Sequence, residues 1–180
     1  MSRPQVVLYI AASLDGFIAR PDGAFDWLDF VDRPGEDYGY HAFYDSIDAI
    51  VMGRGTYDVC AGFPSWPYPE KPSTVFTNST DLAPREGAEF VSGTAPPVLD
   101  QLGARGHRRV WLAGGGALAR QFQAEGVLDE YIVSILPILI GAGLPLFPGA
   151  WREELLTMAS VRAYETGLVQ CVWTAGVSRG

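Results

Sequence analysis

The sequence predicts a mixed α/β fold: a mostly parallel sheet with helices on both faces and a C-terminal antiparallel hairpin. Three observations carry this. Short apolar runs rich in branched residues recur along the chain, as expected of strands buried on both faces. Segments with apolar residues at helical spacing alternate with them. The last two strand-like segments meet at Thr166-Gly167, a tight turn that leaves no room for a helix between them.

Residues 5–12 (QVVLYIAA) form the first such run, which ends at Ser13-Leu14-Asp15-Gly16. From there to Gly35 the chain reads as a long loop, punctuated by Pro21, Gly23 and Pro34 yet carrying Phe17, Phe25, Trp27 and Phe30. A long loop with apolar anchors inside a small domain points to function. Residues 36–47 place Tyr40, Phe43, Tyr44 and Ile47 at helical spacing, with Glu36 and Asp37 at the start where the helix dipole favours acids.

A second buried strand covers 48–53 and runs into a short helix opened by Arg54. Residues 64–72 hold four prolines and read as loop. Strands follow at 73–77 and 89–91, and then a helix at 95–104 with Pro96 and Pro97 in the first turn, where a missing N–H costs nothing. Residues 109–113 are a fifth strand. Gly114-Gly115-Gly116 leads from it into a helix over 117–125, closed by Gly126. A strand-like run at 130–136, a Gly- and Pro-rich loop, and hairpin strands at 155–165 and 168–175 complete the chain.

Composition bounds the rest. The 180 residues are 48% hydrophobic and 12% aromatic. At about 150 residues per domain this predicts one domain over 1–180 and excludes disorder. Thirteen basic against twenty-one acidic residues give a net charge of −8. That sign disfavours generic binding to nucleic acid or anionic lipid, but leaves open a local anion site built from backbone N–H groups. Cys60 and Cys171 stand alone, so neither a disulfide framework nor a thiolate metal site is indicated. The apolar run at 6–12 is too short for a signal peptide, and 134–147 contains two prolines and two glycines. A cytoplasmic protein is expected.

The strongest chemical signal is the strand 110–113 delivering three glycines onto a helix start. Residues without side chains let an anion approach the main chain, and the free N–H groups and dipole of the helix bind it. A tight turn alone would need only one glycine. Gly114, Gly116 and Ala119 also match a dinucleotide fingerprint, but the strand that follows offers no acid for a ribose, which disfavours a Rossmann fold. A second anion site is suggested by Gly53-Arg54-Gly55-Thr56, although a lone Arg on an acidic surface commonly pairs with a neighbouring acid. Thr77 and Asn78 end a third strand, and strand ends are where open α/β sheets bind ligands.

The ordered set 11–19 (AASLDGFIA), 51–57 (VMGRGTY), 75–78 (VFTN), 111–116 (WLAGGG), 128–131 (LDEY) and 137–143 (PILIGAG) with Leu146-Phe147 resembles the dihydrofolate reductase superfamily. Within it, Ser-Leu-Asp-Gly and the Pro-x-x-x-Gly-x-Gly stretch are most similar to the riboflavin-biosynthesis reductase branch, the RibD C-terminal domain. The resemblance implies an NADPH-dependent reductase. It implies that Gly53, Arg54 and Thr56 hold the pyrophosphate and adenosine phosphate side, and that Thr77 and Asn78 hold the adenosine ribose and 2′-phosphate. Gly114, Gly115, Gly116, Ala117 and Leu118 would hold the pyrophosphate, with a cis peptide between Gly114 and Gly115. Ala11, Ala12 and Ile18 would border the nicotinamide under a lid formed by the first long loop, with Trp27 as its tryptophan.

The resemblance also implies a carboxylate about fifteen residues ahead of Met52, which gives Asp37. With His41 and Tyr44 it falls at i, i+4 and i+7 of the expected helix, pointing at one cleft. Asp37 is then the expected proton donor and His41 its runner-up. An acid in a first helical turn also satisfies the dipole alone. Asp15 is expected to form the turn after the first strand and also to line the site, with Ser134, Trp27 and Tyr44 at the substrate wall. No metal site is expected. Two departures argue against a phosphoribosyl-aminopyrimidine substrate: Phe17 stands where that branch has a basic residue, and Thr56 is followed by Tyr57-Asp58-Val59, not by its phosphate-holding Asp-Asp-Pro and Arg. The substrate class expected is a small heterocycle, such as a pterin, folate or aminopyrimidine, or a carbonyl compound.

An alternative of a different class is a nucleotide-binding module without turnover, dimeric through the last hairpin with 169–173 as the pairing face. An open pocket around Asp37, His41 and Tyr44 would favour the enzyme, and a filled core the binder.

Overall fold

The computed structural model describes residues 3–79 and 87–176. Thr80, which closes the polar stretch after the third strand, lies outside the described residues. Among those described, the elements are β1 (Gln5–Ser13), β2 (Phe17–Ala19), a 3-10 helix (Asp26–Val31), α1 (Tyr40–Ser46), β3 (Ala49–Gly53), α2 (Arg54–Ala61), β4 (Ser73–Phe76), β5 (Ala88–Val91), α3 (Ala95–Ala104), β6 (Arg109–Leu112), α4 (Gly116–Ala124), β7 (Glu130–Leu136), β8 (Leu144–Pro145), β9 (Leu156–Ala163) and β10 (Val169–Ala175).

Eight strands form one sheet in the order β5-β4-β3-β6-β1-β7-β10-β9, parallel from β5 to β7 and antiparallel at β7-β10 and β10-β9. This is the dihydrofolate reductase-like architecture. Its central strands β3 and β6 and the middle of β1 are apolar because both faces are covered. Val6, Leu8, Val51 and Leu112 pack with Leu99 of α3 and Phe122 of α4, while Val7, Ile50, Met52 and Trp111 pack with Phe43 of α1 and Tyr57 of α2. The period of two along β1 and β3 thus feeds two cores. Parallel pairing puts the C-terminal ends of β4, β3, β6 and β1 on a single edge, with Gly53 opposite Phe76 and Val51 opposite Leu112.

Three features depart from the expectations. The helix expected over 36–47 starts only at Tyr40, because Tyr38 (φ 53°) and Gly39 (φ 79°) take left-handed conformations that a helix cannot contain. The loop after β1 is a folded wall. Its β2 pairs with β8, its 3-10 helix buries Trp27 and Val31, and Arg20 pairs with Asp26 at 2.6 Å. The hairpin forms, but β10 lies between β7 and β9, so 169–173 offers no free edge. The edges of the sheet are β5 and β9, and β9 presents Met158 and Val161 to solvent. Among the described residues no helix is long and apolar enough to cross a membrane.

Candidate functional site

The two glycine bends meet. The Gly53 N–H donates to the Gly114 carbonyl at 3.0 Å. A Cβ on Gly53 would lie 3.8 Å from Leu118 Cβ and 3.9 Å from Gly115 N, and one on Gly114 would lie 3.6 Å from Thr56 Oγ1. The Gly114-Gly115 peptide is cis. Gly116 is enclosed more tightly, since a Cβ there would come within 2.7 Å of the Pro145 and Leu146 carbonyl oxygens. Glycine is therefore required for the β8 segment to close over the start of α4.

Both helices that begin at these bends lack a side-chain cap. Gly53 precedes α2 and Gly115 precedes α4, and neither can offer an oxygen to the first-turn N–H groups. Uncapped donors and the positive ends of two helix dipoles thus converge on a cavity of about 1350 Å³, while nothing lies within 4 Å of where a Cβ would stand on Gly55 or Gly115. The volume exceeds the roughly 300–1,000 Å³ of an ordinary ligand site and has room for a dinucleotide beside a second small molecule.

Of the residues expected at the cofactor, Ala11, Ile18, Gly53, Arg54, Thr56, Thr77, Asn78, Gly114, Gly115, Gly116, Ala117 and Leu118 line this cavity. Ala12 does not. It is buried on the core face of β1 with Leu8, because alternation turns it away from Ala11. Arg54 is engaged by Asp58 one turn on, its Nε donating to both carboxylate oxygens at 2.7 and 2.8 Å. Arg120, on the face of α4 that lines the cavity, has no acidic partner among the described residues.

The residues expected around the substrate lie elsewhere. Asp37 accepts from the Gly39 and His41 backbone N–H groups at 2.9 and 3.0 Å and contacts His41 Nδ1 at 2.6 Å. These contacts, the two backbone donors first and then the imidazole, hold its carboxyl down to about 2. It stands ahead of α1 as the acceptor that starts the helix, outside the cavity, and these contacts favour its ionised form. The His41 side chain is 81% exposed outside the cavity. Tyr44 packs in an aromatic cluster, 5.8 Å from Tyr40, with Lys71 Nζ 5.2 Å from its ring centroid. Asp37 and His41 stand at the surface and Tyr44 in an aromatic cluster, so these three residues surround neither an open pocket nor a filled core, and the open volume lies beside α2 instead.

Asp15 accepts from Ser13 Oγ at 2.6 Å, Ile140 N at 3.2 Å and Gly141 N at 2.7 Å, which lowers its pKa and ties the turn after β1 to the loop after β7. Ser134 is buried in β7 and accepts from Gln170 Nε2 at 3.1 Å. Trp27 is buried against Val31, Leu136 and Leu168, so Phe25 and Leu28 from the same loop face the cavity in its place. Sequence reasoning missed both, together with Val59, Cys60, Phe63 and Tyr68. The signal for Val59, Cys60 and Phe63 was their helical spacing from Thr56. Among the described residues no cluster of His, Cys, Asp or Glu suits a metal ion.

The model of the RibD C-terminal domain family matches residues 4–170. The chain belongs to that family. Among its relatives, the uncharacterized Bacillus subtilis (strain 168) protein YwjB is 37% identical over 89% of this chain and 92% of its own. The riboflavin biosynthesis protein RibD of Corynebacterium ammoniagenes is 31% identical over 80% of this chain, and the match spans 46% of that longer protein. A Shewanella sp. PV-4 protein whose name places it provisionally in riboflavin biosynthesis superposes with a TM-score of 0.88 at 30% identity, over 96% of this chain and 99% of its own. Dihydrofolate reductase from Enterococcus faecalis shares the fold at a TM-score of 0.65 and 14% identity, covering 96% of this chain and 97% of its own. The chain thus shares the fold of dihydrofolate reductase, and the glycine bends described above face its cavity.

Proposed function

We propose that this protein is an NADPH-dependent reductase that delivers hydride to a small heterocyclic or carbonyl substrate. The observation that supports this best is the Gly53-Gly114 contact, which aims two uncapped helix starts into one cavity. Such a cradle fits a diphosphate, because neutral N–H donors bind an anion without help from basic side chains. When bound, the reduced nicotinamide supplies a hydride to a carbon standing against it.

The chain's own part is positioning. Gly53, Gly115 and Gly116 admit the diphosphate to the main chain, Thr77 and Asn78 face the adenosine side, and Ala11 and Ile18 border the nicotinamide. The walls of Phe25, Leu28 and Phe63 exclude water from the reacting carbon. Asp37 takes no part, and the proton that completes the reduction comes from water.

Titrating the protein into NADPH and following nicotinamide fluorescence tests the cofactor, and NADPH oxidation in the presence of pterins, folates, aminopyrimidines and simple carbonyls tests turnover. A micromolar or tighter response to NADPH is expected, with NADH weaker. Tighter binding of NADH would remove the roles given to Arg54 and Asn78. NADPH binding without oxidation of any substrate would favour a nucleotide-binding module. We further propose that the protein works as a homodimer, with the free edge and exposed apolar side chains of β9 as the contact surface.

A further inference from the structure

The cavity has a second compartment beyond the glycine cradle. Helix α2 begins at the cradle and presents Thr56, Val59 and Cys60 to the cavity along one face, with Phe63 just past its end. At 1.5 Å per residue α2 runs about 10 Å from Arg54 to Ala61, with Phe63 beyond its far end, a separation that suits the distance from a diphosphate to the reacting end of a dinucleotide. Phe25, from the loop after β2, meets Phe63 edge to face with ring centroids 6.4 Å apart. Tyr68 closes the wall, held by Trp111 at 5.2 Å and Trp66 at 5.9 Å.

Two properties of this compartment define its ligand. Phe25, Val59 and Phe63 are 38%, 39% and 39% exposed although all three line a cavity, so their apolar surface is left for a ligand to cover. No unpaired charge faces it. Among the described lining residues there is no carboxylate or imidazole. The Arg54 guanidinium is engaged by Asp58, and Arg120 stands on α4 beside the cradle. The polar side chains of the wall are the uncharged Thr56 hydroxyl, Cys60 thiol and Tyr68 hydroxyl, and burial pushes the thiol and the phenol up. A phosphate or carboxylate brought here would lose its water and gain no cation.

We propose that this compartment binds an uncharged, planar substrate bearing a reducible C=O or C=N group, held against Phe25, Val59 and Phe63, and that it rejects phosphorylated or carboxylated analogues. This rests on the reductase reading. The hydride of NADPH forms the new C–H bond, the π pair of the double bond moves to the heteroatom, and that atom takes a proton from water, leaving NADP+ and the reduced substrate.

The test uses matched pairs with the full chain: 6-methylpterin against pterin-6-carboxylate, and 4-methylbenzaldehyde against 4-carboxybenzaldehyde. Binding to the NADPH-loaded protein is measured by calorimetry and turnover by NADPH oxidation. The neutral member of a pair is expected to bind at least tenfold tighter and, where turned over, to show the higher kcat/KM. Phe63→Ala should raise KM for the neutral member about tenfold while NADPH affinity stays unchanged. Equal or tighter binding of the charged members overturns the proposal, as does failure of every neutral member to bind the NADPH-loaded protein. Failure of NADPH itself to bind removes the reductase reading instead, so the two outcomes are separable.

Discussion

Gly116 and Gly53 look alike in sequence but carry different constraints. At Gly116 a methyl group would press on two backbone carbonyls at 2.7 Å, and backbone cannot rotate aside. Gly116→Ala should cost about 2 kcal/mol or more, seen as a fall in Tm of about 5 °C, and should weaken NADPH binding. At Gly53 the same methyl meets ordinary contacts at 3.8 and 3.9 Å with φ at −82°, so Gly53→Ala should keep its Tm to within about 2 °C. Thermal melts of the two variants check the contrast.

Asp37 carries a second residue-level expectation, with a definite sign. Its carboxyl is lowered from 3.8 to about 2, so its contribution to stability is present above pH 4 and lost as pH falls through that interval. Asp37→Asn should therefore be less stable than wild type at pH 6, and the difference in Tm should shrink between pH 4 and pH 2. Because Asp37 stands outside the cavity, the same variant should keep its pH profile of NADPH oxidation. An altered profile would restore the acid to the mechanism.

Among the elements, α1 shows how one short segment redirects a site. The apolar spacing of Tyr40, Phe43 and Tyr44 marked a helix, but Tyr38 and Gly39 in left-handed conformations start it late, and the acid before them becomes its starting acceptor. The edge strand β9 has the opposite character: eight residues with one side unpaired and apolar groups in water. Replacing Met158 and Val161 together by Lys should convert the proposed dimer to monomer without lowering Tm by more than a few degrees, since neither side chain is buried in the isolated chain. Light scattering on both proteins decides it, and a monomeric wild type would remove the dimer.

For the whole molecule, charge and fold pull in different directions. A net charge of −8 repels an anionic cofactor at a distance, whereas the proposed cradle would bind it through backbone dipoles at contact. Long-range repulsion is screened beyond a Debye length of about 8 Å at physiological salt. NADPH affinity should therefore hold steady or improve between 10 and 150 mM salt. A protein relying on free arginines would lose affinity over that range, and a measured loss of tenfold would point to Arg120 as the main anchor.

By itself the sequence determined the elements and the bends. Apolar strands covered on both faces, Gly114-Gly115-Gly116 at a helix start and Gly53 ahead of another follow from short-range sterics and hydrogen bonding, which neighbouring residues settle among themselves. Only the tertiary structure decided that Gly53 touches Gly114, that Phe25 faces Phe63, and that Ala12, Asp37 and Trp27 turn away from the cavity. Those facts depend on β1 lying between β6 and β7 and on β8 closing over α4. Such placements are fixed by the packing of segments far apart in the chain, and no local spacing records them.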